Sequence, residues 1–149
     1  MKKRSYTGFL PAQRLKLSGK EKAVMVGILR DIEAGRIGDD HADPALTGVV
    51  SMNVVLVRSS KASVCGRVGC IAGHMAVRLH PDTQVRIEKA FRYFDELSGR
   101  SRALSDLTTA GGSGARMSRA RAVHVARAMR SFLRTGRPNW RRAMGKKAA

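Results

Sequence analysis

Two cysteines and one histidine fall close together in V-C-G-R-V-G-C-I-A-G-H-M-A-V-R-L, residues 64–79. Cys65, Cys70 and His74 are of the types that hold zinc, which favours thiolate and neutral imidazole in a tetrahedral set. On a helix, Cys70 and His74 stand at i and i+4 and share a face, so both can reach one ion. His41 or His80 would supply a fourth ligand. Against a metal stands the spacing: Cys-x4-Cys-x3-His is not a standard zinc pattern, and cysteine is commonly a buried apolar residue. The preferred reading has no metal and no cofactor. If both cysteines belong to one helix, their Cα atoms lie about 7 Å or more apart, beyond the usual bridging distance, so reduced thiols are expected.

Thiol catalysis is the other chemistry these residues suggest. Cys65 at a helix N-terminus, beside Arg67, would have a lowered pKa. His74 lies more than two turns away, however, and Cys70 sits in a run without charge. No carboxylate pair has the spacing of an acid/base couple, and there is no nucleophile elbow. A non-enzymatic protein is expected.

The second chemistry is cationic. The 149 residues carry 29 Lys+Arg against 11 Asp+Glu, a net charge of +18. Such a balance attracts polyanions, of which nucleic acid is the commonest. Arginine outnumbers lysine 20 to 9. A GC-rich genome produces that bias by itself, but it does not produce the acidic deficit. Residues 101–149 hold 12 of the basic residues and one acid, Asp106. On a helical wheel begun at Arg119, residues Arg127, Arg130, Arg134 and the exit residue Arg137 fall within about 80°. Arg141 and Arg142 extend this stripe into a basic tail. Aromatics are scarce, which argues against base stacking and sequence-specific single-strand recognition. These seven arginines are the expected nucleic-acid contacts, made to phosphates with little sequence selectivity. The alternative is a structural or interaction protein that docks an acidic protein partner.

The elements that must carry these residues read as mainly α. A chain of this length suits one domain with a real core. Residues 1–17 read as a basic arm, frayed or ordered on binding, residues 18–140 as the helical domain and 141–149 as a basic tail. Four principal helices are expected. Ser18 caps the first, through Ala34, with Glu21 at capping-box spacing and Gly35 as its stop. Val24, Met25, Ile28, Leu29 and Ile32 make its apolar stripe. The second is a buried central helix over 64–79, ended by His80-Pro81, with Cys70, Ile71, Met75 and Val77 in the core. Asp82 or Thr83 caps the third, whose apolar face is Ile87, Ala90, Phe91, Tyr93, Phe94 and Leu97 and whose stop is Gly99. Ser118 caps the fourth, through Arg134 or Thr135, with Gly136 as stop and Ala122, Val125, Ala126, Met129, Phe132 and Leu133 inward.

Between the helices, Asp39, Asp40, His41 and Asp43 form an acidic cluster, read as a solvated loop in preference to a metal site. Val49 to Val57 reads as one short extended segment, which needs a second strand, a homodimer partner or burial against helices. Residues 100–117, with Gly111-Gly112-Ser113-Gly114 at the tip, read as a mobile connector. Trp140 is expected to pack back on the body. No apolar run of useful length follows Met1-Lys2-Lys3-Arg4, so no secretory signal is expected, no membrane is expected as a partner, and the assignment is cytoplasmic.

The motif C-G-R-V-G-C-I-A-G-H resembles a family of small uncharacterised proteins from bacteriophages and bacterial genomes. Their hallmark is Cys-Gly-Thr-x-x-Cys-x-Ala-Gly-Trp or -His after a Phe-x-Met-x-x-Trp-like stretch. Cys65, Gly66, Cys70, Ala72, Gly73 and His74 match it, and Met52 stands at the upstream methionine. Thr135-Gly136 and Trp140 fit the family's end, so the resemblance spans 22–140. Arg67 replaces the usual threonine, and Val55 or Leu56 stands where an aromatic belongs. The resemblance implies a similar architecture and a phage or mobile-element origin, and brings no activity.

Overall fold

The computed structural model describes residues 4–39, 48–52, 56–58, 67–80 and 87–145. The fold is mainly α, a single small domain. Helix α1, Gly19–Glu33, begins as its sequence predicts: the Ser18 hydroxyl accepts the Glu21 N–H at 3.0 Å and the Glu21 carboxylate accepts the Ser18 N–H at 2.8 Å. Both are amide groups that the first helical turn leaves without a partner. Met25, Ile28, Leu29 and Ile32 are buried and Val24 is half-buried, so the stripe faces the core. Gly35, at φ +78°, provides the left-handed exit.

The central helix is shorter than expected. Helix α2 covers Ile71–Leu79, and Cys70 is its N-cap with extended backbone. Arg67–Gly69 is a strand instead, consistent with β-branched Val68 and the poor helix propensity of Gly69. Cys65 lies outside the described residues. Ile71 through Ala76 are all buried, and Val77 is half-buried. The apolar core around this helix draws on every long helix: Met25 and Leu29 from α1, Leu104 and Leu107, and Met129, Phe132 and Leu133 further along the chain.

The extended region also differs. In place of one segment over Val49–Val57, the structure has strands β1 (Ile37–Gly38), β2 (Gly48–Val50), β3 (Leu56–Arg58) and β4 (Arg67–Gly69). They form one sheet in the order β1-β2-β4-β3. The β1–β2 and β2–β4 pairs are parallel and β3–β4 is antiparallel, with Val49 opposite Val68 and Val57 opposite Val68 from the other side. The partner that a lone strand needs is therefore found within the chain.

Helix α3, Ile87–Arg100, runs through Gly99 rather than stopping there. Arg100 holds the last turn: its guanidinium bonds Glu21 at 2.8 Å, Glu96 at 2.7 Å and the Lys16 carbonyl at 3.2 Å. Ala90 and Leu97 are fully buried, while Phe91 is 49% exposed at the edge of the face. The expected connector is helical as well. Ser101 caps α4, Arg102–Thr109, and Ser113 caps α5, Gly114–Arg119. Leu104, Leu107 and Ala110 recur every third residue and are all buried. Gly111 and Gly112, both at positive φ, make the turn between α4 and α5.

Helix α6, Ala122–Thr135, starts later than Ser118 because α5 and the extended residue Ala120 occupy that stretch. Its N-terminus is capped from a distance: the Asp39 carboxylate accepts the Ala122 N–H at 2.6 Å. The His124 Nδ1 accepts the Arg121 N–H at 3.0 Å. That acceptor role needs a neutral ring, and burial, with Arg127 adding to it, pushes the His124 pKa down. Helix α7, Trp140–Ala143, folds back so that Trp140 is buried and its indole N–H donates to the Asp106 carbonyl at 2.6 Å.

Residues 4–17 are part of the body. A single 3-10 turn, Ala12–Leu15, buries Leu15, and Leu17 follows it into the core. The Leu10 N–H donates to the Leu133 carbonyl at 2.7 Å, which fixes residues 4–17 against α6. The apolar alternation of Leu15 and Leu17 outweighs the basic composition of this stretch. No helix among the described residues is long and apolar enough to cross a membrane.

Candidate anion-binding groove

Helix α6 places Arg127, Arg130 and Arg134 on successive turns, with Ser131 and Thr135 between them. These five positions fall within about 140° at 100° per residue. They form one wall of a groove of about 490 Å³, and Asn139, Arg142 and Ala143 of the α7 turn form the other. No carboxylate is among the groove's described lining residues. Like charges at i,i+3 and i,i+4 oppose each other by about 0.2–0.5 kcal/mol per pair. The arrangement is therefore unfavourable for an isolated helix and gains from an anion.

Two of the four guanidiniums are held by the protein. Arg130 donates to Glu33 twice, at 2.6 and 3.2 Å, and to the Ser5 carbonyl at 2.6 Å. It also lies over the rings of Tyr6 and Phe9, at 5.0 and 5.7 Å from their centroids. Its side chain is 15% exposed and that of Glu33 is 4% exposed. Burial pushes the Glu33 carboxyl up, but its bonds to Arg130, Tyr6 and Arg4 outweigh that and hold it below the usual carboxylate range. Arg127 donates to the Ala143 carbonyl at 3.2 Å, which ties α6 to α7. Arg134 and Arg142 are exposed, and their guanidiniums make no hydrogen bond or ion pair among the described residues. Asn139, at φ +45°, accepts the Arg142 N–H through Oδ1 at 3.3 Å, so its amide hydrogens face elsewhere.

The seven predicted arginines thus separate. Arg127, Arg130, Arg134 and Arg142 meet at the groove. Arg119 does not continue their stripe, because it ends α5 and the helical wheel is broken at Ala120 and Arg121. Arg137 and Arg141 are exposed beside the groove and do not line it. Arg130 is mainly an internal anchor. No family model, no curated protein and no solved structure matches the chain. Ser131, Thr135 and Asn139 were not singled out from sequence. The spacing of Ser131 and Thr135, on the same face as Arg127 and Arg134, was the signal that could have found them.

Of the cysteine–histidine cluster, the structure describes Cys70, His74 and His80. The His74 Nε2 lies 2.7 Å from the Val49 carbonyl oxygen. A carbonyl only accepts, so Nε2 carries the hydrogen and donates. That ring nitrogen joins α2 to β2. Cys70 is buried, and burial pushes its thiol pKa up. His80, the C-cap of α2, is exposed. No group of three or more His, Cys, Asp or Glu that could hold a metal occurs among the described residues. Cys65, Asp40, His41 and Asp43 lie outside them, while Asp39 serves as the cap of α6.

Proposed function

We propose that the protein is a small basic accessory protein, of phage or mobile-element origin, that binds nucleic-acid phosphates with little sequence selectivity. The origin rests on the resemblance of the Cys65–His74 motif. The binding rests on one observation: Arg127, Arg134 and Arg142 line one groove with no carboxylate among its described lining residues, and Arg137 and Arg141 are exposed. Guanidinium forks match phosphate oxygens two at a time. Base stacking has little to work with at the groove: no aromatic is among its described lining residues, and the exposed Phe91 belongs to α3. Trp140 and Phe132 are buried, and Tyr6 and Phe9 lie against Arg130.

The test is a titration of duplex DNA, single-stranded DNA and RNA against salt, with an acidic protein as control. Binding that is similar for unrelated sequences and falls steeply with salt supports the reading. Binding of the acidic protein alone would replace it with an interaction protein that uses the same arginines.

A further inference from the structure

We propose that the α6–α7 groove is a seat for a phosphate monoester, the doubly charged group carried by a strand end or a mononucleotide. This rests on the reading of the groove as an anion site and names the chemistry it takes. Four features bear on this: the first two favour a monoester over the diesters along a strand, and the last two ready the groove for a phosphate.

The first is shape. A volume of about 490 Å³ lies within the range of small-molecule sites and exceeds what one backbone phosphate fills. The groove is half open, so a group that projects from a strand end can enter it from solvent.

The second is charge. Glu33 balances Arg130 from behind. Arg127, Arg134 and Arg142 remain without a carboxylate partner among the described residues. A monoester carries about −1.5 to −2 at neutral pH and offers three acceptor oxygens, which suits three cations better than the single charge of a diester.

The third is the donor set. The guanidinium forks of Arg134 and Arg142 have no partner among the described residues, and Asn139 has its amide hydrogens, because its Oδ1 is the atom engaged by the Arg142 N–H. These donors belong to residues that line the groove from α6 and from the α7 turn.

The fourth is preorganisation. Arg130 is fixed by two bonds to Glu33, and Arg127 is fixed to the Ala143 carbonyl, so the walls are held before any ligand arrives. Less ordering then remains for binding to supply.

The experiment compares one 3′-labelled oligonucleotide with and without a 5′-phosphate, at a salt concentration where binding of the unphosphorylated strand is weak. Adenosine monophosphate and adenosine serve as competitors, and direct binding of the monophosphate is followed by calorimetry. The phosphorylated strand should bind about tenfold more tightly, roughly the equivalent of one charge-assisted hydrogen bond. The monophosphate should compete and adenosine should not. Arg142→Gln and, separately, Arg134→Gln should remove the difference, while Arg102→Gln, on exposed α4 surface, should leave it. Equal binding of the two strands, with no binding of the monophosphate, overturns the monoester seat and leaves general phosphate binding standing. Binding of the monophosphate with no binding of either strand overturns the nucleic-acid reading and keeps the seat, with a free nucleotide as its source. If neither strand nor monophosphate binds, both readings fall.

Discussion

Arg130 and Glu33 are joined by two hydrogen bonds across the α1–α6 contact, at 2.6 and 3.2 Å, with the carboxylate almost wholly buried. The pair makes Arg130 unlike its neighbours on α6. A sequence stripe treats Arg127, Arg130 and Arg134 as equivalent, but only the middle one is held by a buried carboxylate, while Arg127 makes a single bond to the Ala143 carbonyl. Arg130→Gln should therefore destabilise the protein by about 3–5 kcal/mol, the range for breaking a buried ion pair from one side. Arg134→Gln should stay within about 0.5 kcal/mol, as exposed substitutions do. Urea unfolding of the two variants, with equal m-values, checks the contrast. Equal stability in both would show that Glu33 is satisfied by Arg4 and Tyr6 without Arg130.

The core prediction concerns α2. Ile71 is fully buried at the first turn of the helix, within a run of six buried residues. Ile71→Ala removes that packing and leaves a cavity, at a cost of about 2–5 kcal/mol. A thermal melt that matches the parent protein would show that α2 is not central to the core.

Those two predictions differ in how far the sequence could supply them. The stripe Met25-Ile28-Leu29-Ile32 and the inward residues Val125, Met129, Phe132 and Leu133 were legible, because burial follows the helical period directly. The capping box of Ser18 and Glu21 and the αL exits at Gly35 and Gly136 were legible for the same local reason. The sheet was not. Its strands are two or three residues long, too short for an alternation to show, and their pairing is set by tertiary contacts. Helices α4 and α5 were hidden by the glycines between them. At the candidate site, the three arginines of α6 followed from spacing. Arg142 joining them, Glu33 behind Arg130 and Asp39 capping α6 did not, since each is a contact between residues far apart in the chain.

A third prediction follows from Glu21. Its carboxylate meets Ser18, Tyr93 and Arg100 at the junction of α1 and α3. Burial raises the carboxyl, but the bonds from Arg100, the Ser18 N–H and Tyr93 together overcome it and bring the pKa from 4.5 down to about 2. A pKa lowered by folding means that the unfolded chain binds the proton more readily. The stabilisation is then complete above about pH 4.5 and is lost as the pH falls toward 2. Glu33 and Asp31 are lowered in the same direction and add to the loss. Denaturation midpoints measured across that window should fall with pH, and Glu21→Gln should flatten the decline. A parent protein whose midpoint does not change from pH 5 to pH 2 would contradict the network.

The fourth concerns His74. Its Nε2 hydrogen donates to Val49 and ties α2 to β2. His74→Phe leaves the buried carbonyl without that donor, a cost of about 1–3 kcal/mol. Zinc added to the parent protein should not raise its melting temperature, whereas a specific ligand set would do so by mass action. A stoichiometric zinc in native mass spectrometry, lost in Cys70→Ser, would reverse this and make Cys65, Cys70 and His74 ligands.

The last prediction joins the groove to its salt dependence. Arg127, Arg134 and Arg142 can be changed to Gln without touching the Glu33 pair, although Arg127 also gives up its bond to the Ala143 carbonyl. The triple variant should therefore fold, with a melt close to that of the parent. Each phosphate contact contributes about 0.9 to the slope of log affinity against log salt on duplex DNA. Removing three should flatten the slope by about 2–3 and weaken unrelated sequences alike. Including Arg130 in the set would mix a folding defect into the result, which is why the buried arginine is left in place. A variant that keeps the parent's slope would move the contact surface away from the groove, to the exposed Arg137 and Arg141 beyond it. A variant that loses affinity for one sequence only would show that the arginines read base edges through their guanidinium forks.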